Sequence, residues 1–228
     1  MEKIHKIDIN SSQYPRLLKE IIDPPRFLYY RGTLEAKNER IFAIVGSRRC
    51  SAYGRQATIE IVSELSKNNL TIVSGMAIGI DTIAHQTALC NKAKTIAVLG
   101  TGIDRKSIYP KENIELAEKI VENGGAIISE FAPGTRVSRK NFPQRNRIIS
   151  ALSLGMLVIE AKISSGSLIA ANYAFKQKKK LFALPGSIHS SNSHGCHYLI
   201  QKGAKLIENA DDILEELRLD LLMPKAQH

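Results

Sequence analysis

Short apolar runs that alternate with helix-length segments constrain this chain more than any other feature. The runs are IFAIVG (41–46), LTIVSG (70–75), TIAVLG (95–100), AIISE (126–130), MLVIEA (156–161) and KLFALPG (180–186). None shows the polar alternation of a half-exposed strand, so each is expected to be buried on both faces. Between them lie GRQATIEIVSELSKNN, GIDTIAHQTALCNK, NIELAEKIVENG, QRNRIISALS and SLIAANYAFKQKK, several with apolar residues three and four apart. Strand, helix, strand is therefore the repeating unit. It predicts an α/β fold, Rossmann-like and doubly wound, with a mostly parallel sheet, helices on both faces and ligands gathered at the carboxyl ends of the strands.

The 228 residues, 43% of them hydrophobic, suffice for one large domain with its own core. Residues 1–40 differ from the rest: Pro15, Pro24 and Pro25 interrupt helix, and the segment reads as an N-terminal extension packed on the core. Residues 41–220 then form the Rossmann-like domain, its end reading as a short strand followed by a helix, and residues 221–228 a frayed, disordered tail. Cys50, Cys90 and Cys196 are far apart and form no C-x-x-C pair, which fits a reducing cytoplasm and disfavours zinc knuckles and disulfide frameworks. Neither a secretory leader nor a stretch able to cross a bilayer is visible, so no membrane insertion is expected.

Charge is unevenly placed. The net charge is +10, and residues 131–151 carry Arg136, Arg139, Lys140, Arg145 and Arg147 without an acid. Residues 46–55 carry Arg48, Arg49 and Arg55, again without an acid, whereas 208–220 is acidic. Clustered basic loops point to a polyanion at one face.

The loops after the strands refine this. In GSRRCSAYGRQ (46–56), Gly46 lets the backbone approach a ligand, and the following helix offers free amides and a positive dipole end. Arg48 and Arg49 add forked donors for phosphate oxygens; the bland reading is a tight turn with solvated arginines. In SGMAIGIDTIAH (74–85), Asp81 and His85 could share a helix face as a dyad, but a helix-entrance carboxylate with a histidine packed beneath it is the preferred reading. Neither G-x-G-x-x-G nor G-x-x-x-x-G-K-[ST] occurs, which disfavours classical NAD and ATP sites; no cofactor is expected.

SRKNFPQRNRIIS (138–150) is the most informative stretch. Phe142 lies between basic residues just ahead of a helix opened by Pro143, so it is either a base-stacking face or a staple at the helix entry. Arg145 and Arg147 near a helix start oppose the dipole, and a polyanion or a carboxylate such as Glu130 or Glu160 must offset that. Ser164, Ser165, Gly166 and Ser167 form either an anion nest or an ordinary N-cap. Lys176, Lys178, Lys179 and Lys180 read as a solvated face. His189, His194 and His197 lack partners at convincing ligand spacing, so no metal is expected.

Taken together, YPRLLKEIIDPPRFLYYRG, AIVGSRR with YG, IVSGMAIGID with AH, TIAVLGTGID with YP, GGAIISEFAPG, FPQRNRIIS, VIEAKISSGSLIAA, ALPGSI and GCHYLIQKGAKL resemble the DprA/Smf family, in order, over roughly residues 14–214. The resemblance implies a Rossmann-like core that binds single-stranded DNA, protects incoming strands in natural transformation and helps load a RecA-type recombinase, as a homodimer and not as an enzyme. It places Ser47, Arg48, Arg49, Gly75, Lys140, Phe142, Arg145, Arg147, Ser165, Gly166 and Ser167 on the DNA surface. The helical SAM-like and winged-helix domains of many relatives are not expected here. The competing expectation is a Rossmann-like nucleotide-binding hydrolase or sensor, in which Asp81, His85 or Glu130 would supply acid–base chemistry.

Overall fold

The computed structural model describes residues 3–34 and 40–222, with side chains up to residue 217. The expected frayed end lies, from residue 223 onward, outside the described residues. In chain order the elements are β1 (His5–Asp8), α1 (Arg16–Lys19), β2 (Phe27–Gly32), β3 (Ile41–Val45), α2 (Ala52–Lys67), β4 (Thr71–Ser74), α3 (Ile80–Cys90), β5 (Thr95–Val98), α4 (Ile114–Glu122), β6 (Ala126–Ser129), α5 (Asn141–Leu152), β7 (Gly155–Val158), α6 (Gly166–Lys176), β8 (Lys180–Ala183), α7 (His194–Gln201), β9 (Lys205–Leu206) and α8 (Ala210–Leu222). One turn of 3-10 helix, Lys111–Asn113, leads into α4.

The strands form a nine-stranded sheet in the order β1-β2-β6-β5-β4-β3-β7-β8-β9. From β6 to β9 all neighbours are parallel, and the fold is Rossmann-like. Burial explains why the apolar runs carry no polar alternation: every residue of β3, β4, β5, β6 and β7 is buried. Successive side chains of β3 serve opposite faces. Phe42 and Ile44 pack with Ile61, Val62 and Leu65 of α2, Ile80 and Ala84 of α3, and Ile213 and Leu217 of α8. Ile41, Ala43 and Val45 pack instead with Ile148, Ile149 and Leu152 of α5 and Ala170, Ala171 and Ala174 of α6. Full burial of each large aliphatic side chain contributes roughly 1.5–3 kcal/mol.

The N-terminal segment joins the sheet itself. β2 runs antiparallel to β6, and β1 antiparallel to β2. Arg31 of β2 is 6% exposed and donates to the Glu118 carboxylate on α4, while the Tyr14 hydroxyl donates to the Pro25 carbonyl at 2.6 Å, so the segment is tied to its own turn and to the core.

This topology positions the site. The chain moves outward from β3 through β4 and β5 to β6, then crosses back to β7 on the other side of β3. The loops leaving β3 and β7 therefore diverge over opposite faces, and the crevice between them opens at the carboxyl ends.

Candidate nucleic-acid interface

A buried carboxylate shapes the crevice. Glu160, just beyond β7 and 2% exposed, accepts from the Ser51 hydroxyl at 2.6 Å, the Ser51 amide at 2.9 Å and Asn192 Nδ2 at 3.3 Å. Ser51 in turn caps α2 by accepting from the Gly54 amide at 3.1 Å, and Asn192 also donates to the Arg49 carbonyl at 3.0 Å. Three segments distant in sequence thus hold the Arg48–Arg49 backbone still. A Cβ on Gly54 would lie 2.5 Å from Glu160 Oε2, which is why α2 carries glycine where it passes the carboxylate.

The loop after β4 packs beneath the same turn. The Ile80 amide donates to the Ser47 carbonyl at 3.2 Å, and Gly79, at φ +84°, would place a Cβ 2.4 Å from that oxygen. Gly46 lies against Ile80, where a Cβ would come within 2.7 Å, and the Ser47 hydroxyl accepts from the Arg49 amide at 3.1 Å. Gly46 and Ser47 shape the turn; Arg48 and Arg49 project from it, both exposed.

α5 begins at Asn141, two residues ahead of the Pro143 expected to open it, so Phe142 and Pro143 lie in its first turn, where proline removes no helical hydrogen bond. Asn141 Nδ2 donates to the Gly100 carbonyl at 3.0 Å, fixing the helix start on the end of β5. Phe142, half-buried, rests over Gly100, with the Tyr109 ring 6.0 Å away at 48° and the Arg48 guanidinium carbon 5.8 Å from its centroid. Arg48 and Phe142 thus meet at one rim. Lys140 sits exposed immediately before α5, next to the exposed Arg139.

Tyr109 belongs to this cluster and escaped the residue-by-residue reading. Its signal was modest: an aromatic before Pro110, in the glycine-containing loop that follows the 95–100 run.

Three expected DNA contacts are corrected. Arg145 is 5% exposed; its Nη1 donates inward to the Gly75 and Val98 carbonyls at the ends of β4 and β5. Burial pulls its pKa down to about 10, with the Asp81 carboxylate opposing that shift and Arg48 adding to it. Gly75 is buried and makes room for this head, since a Cβ there would lie 2.4 Å from Arg145 Nη1. Arg147 is 6% exposed and pairs with Glu130 at 2.7 Å and Asp23 at 3.3 Å. Burial raises the Glu130 pKa, and the neighbouring Arg147 works against that rise. Both arginines lie in the second turn of α5, where the dipole matters little and the sheet-facing side is internal. Carbonyls offset one charge and carboxylates the other, so neither head faces outward to a phosphate.

The loop before α6 departs from the ordinary N-cap reading. Ser165 stands at the N-cap position, yet its hydroxyl meets Ser167 Oγ at 2.8 Å instead of a first-turn amide. Ser167 is buried, while Gly166 is exposed and its carbonyl accepts from Asn146 Nδ2 of α5 at 3.1 Å.

The candidate acid–base residues are committed internally. His85 is fully buried; the Thr95 hydroxyl donates to the Ile72 carbonyl, so at 2.7 Å it must accept from a protonated Nδ1. Burial, helped by Arg145, lowers the His85 pKa to about 3, and the ring is neutral. Asp81 accepts from the Ala77 amide at 3.2 Å, its pKa raised by burial. His194 and His197 direct Nε2 to the Ile188 and Gly186 carbonyls at 3.1 and 3.0 Å. Among the described residues, no group of three or more His, Cys, Asp or Glu side chains could hold a metal.

Against known proteins, the family model described as DNA recombination-mediator protein A matches residues 5–218. DNA processing protein DprA of Streptococcus pneumoniae is 45% identical over 215 residues, covering 94% of this chain and 75% of that one. A crystal structure of the S. pneumoniae protein superposes with a TM-score of 0.88 at 44% identity, over 94% of this chain and 74% of that one. DNA processing protein A from Helicobacter pylori, whose structure describes a single-stranded DNA binding mode, superposes with a TM-score of 0.84 at 33% identity, over 96% of this chain and 99% of that one.

Proposed function

The chain belongs to the DNA recombination-mediator protein A family, and from that membership we propose that it binds single-stranded DNA without sequence preference, shields incoming strands in natural transformation and promotes loading of a RecA-type recombinase. The observation that carries the reading is the meeting of Arg48 with Phe142 at the strand ends: a cation suited to phosphate and an aromatic ring from distant segments share one rim, with Arg49 and Lys140 exposed on the same loops. The binding mode described for the H. pylori protein supports it. Gly46 and Ser47 shape the turn that carries Arg48 and Arg49, and Ser165, Gly166 and Ser167 form the loop that opens α6. The protein works in the cytoplasm as a homodimer; among the described residues no helix is long and apolar enough to cross a membrane.

It acts without making or breaking bonds. Of the candidates for acid–base chemistry in a nucleotide hydrolase, Asp81 and His85 are buried and Glu130 is half-buried, and each is hydrogen-bonded to the protein's own groups. Incubation with nucleoside monophosphates is expected to release no free base.

Of the five cations expected to contact DNA, Arg145 and Arg147 are turned inward, and Arg48, Arg49 and Lys140 are exposed to neutralise phosphates. Three contacts give a slope of about −2 for the logarithm of oligo-dT affinity against the logarithm of salt. Arg48→Ala and Arg49→Ala should each weaken all sequences alike and flatten that slope by about 0.7, because phosphate contacts position a strand without reading it. Phe142→Ala should cost affinity at unchanged slope. Fluorescence anisotropy titrations from 50 to 300 mM salt (roughly the useful range) check this, and binding indifferent to salt would overturn the proposal.

A further inference from the structure

Phe142 is not the ring most open to a base. One side lies against Gly100, where a Cβ would touch its Cδ1 at 3.1 Å; Arg48 covers part of it at 5.8 Å, and Tyr109 flanks it at 6.0 Å. Tyr109, by contrast, is 43% exposed. A base between two rings needs two contact gaps of about 3.5 Å, roughly 7 Å in all and near-parallel planes. The observed 6.0 Å and 48° leave no such slot, so a base meets this pair from outside.

The backbone that carries Tyr109 is fixed on both sides. Ile108 before it is 1% exposed and packs with Ile103 and Leu116. Downstream, the buried Asn113 donates to the Met76 carbonyl at 2.8 Å and to Thr82 Oγ1 at 2.7 Å. Upstream, the Asp104 carboxylate accepts from the Gly134 amide at 2.6 Å and the Ser107 hydroxyl at 2.8 Å. A half-exposed ring on a pinned backbone loses little freedom when a ligand stacks on it.

We propose that Tyr109 is the base-stacking platform of this interface, with Phe142 as the ring that supports it and Arg48 as the cation that holds the adjoining phosphate. The proposal rests on the single-strand reading above and deepens it by assigning the nucleobase subsite. The Tyr109 hydroxyl has no hydrogen-bond partner among the described residues, so Tyr109→Phe separates stacking by the ring from any contact of the oxygen.

The test compares a 12-mer of thymidine (a length on the order of one binding site) with an abasic strand of equal length, which keeps the phosphates and removes the bases. Tyr109→Ala and Tyr109→Leu should each weaken dT binding about fivefold or more, leave abasic binding unchanged and keep the parent's salt slope. Tyr109→Phe should bind both strands as the parent does. Tyr109→Leu retains apolar volume at the position, so agreement between the two ring-deleting variants excludes a folding artefact. Parent-like dT binding by both of them would overturn the assignment while leaving the single-strand reading intact. An equal loss on both strands would also overturn it, because that pattern marks a structural role. If the parent itself binds neither strand in a salt-dependent way, the functional reading falls and the subsite falls with it.

Discussion

Arg145→Ala is expected to lose on the order of 3–5 kcal/mol of folding stability, measured as a lower urea midpoint at unchanged slope. The guanidinium is 5% exposed and bridges the ends of β4 and β5 through the Gly75 and Val98 carbonyls. Its removal deprives both carbonyls of a charged donor, leaves the buried Asp81 without its nearest cation and opens a cavity over the missing side chain of Gly75. Arg145→Lys should recover only part of the loss, since an ammonium cannot reproduce the planar fork. Arg48→Ala is the matching control: its side chain is exposed, so stability should stay within about 0.5 kcal/mol while DNA affinity falls. If Arg145→Ala folded as stably as the parent and lost only DNA binding, the internal role assigned to this arginine would be wrong.

Acid should destabilise the protein through His85. In the unfolded chain an imidazole titrates near 6.5 (a typical value, roughly), whereas in the fold burial holds His85 down to about 3. Between those limits the unfolded state binds a proton that the folded state excludes. Stability therefore falls as pH falls through this window, by up to about 1.4 kcal/mol per pH unit. Asp81 and Glu130 act with the opposite sign: burial raises their pKa values, so the folded state holds their protons longer and their contribution falls as pH rises. Subtracting the profile of His85→Gln from that of the parent isolates the imidazole. Urea titrations at intervals between about pH 4 and 6.5 read the difference directly; parallel profiles would show that the ring is not kept neutral by the fold.

The packing of His85 beneath the entrance of α3 was legible in the sequence, whereas only the tertiary structure decided the role of Arg145, and the contrast among the basic residues shows why. Arg48 and Arg49 follow a strand and precede a helix, and that local grammar alone put them on an exposed strand-end turn. Arg145 and Arg147 carry the same chemistry, and their helix was foreseen, but which of its faces meets the sheet was not. The inward face of α5 holds both heads, Arg145 on the Gly75 and Val98 carbonyls and Arg147 on Glu130 and Asp23. A charge cluster in sequence does not reveal which of its members face inward, because that depends on helix phase. Gly75 illustrates the same limit: glycine at a strand end reads as room for a ligand, yet here the occupant is the protein's own guanidinium.

The sequence offers Glu160 only as an offset for Arg145 or Arg147 and does not single out Tyr109, for a different reason. Each acts through partners far away in the chain, Ser51 and Asn192 for the carboxylate, Phe142 for the ring, and no local pattern encodes such pairings.

The sequence by itself determined the layered α/β architecture and the strand-end loops from which the candidate site is built, because burial of strands on both faces and helix periodicity are local properties repeated along the chain. Only the tertiary structure decided the antiparallel edge contributed by β1 and β2, the choice of which cations remain exposed, and the ring that offers the open face. Those outcomes depend on strand order, helix phase and side-chain contacts between distant segments, which exist only once the chain has closed on itself.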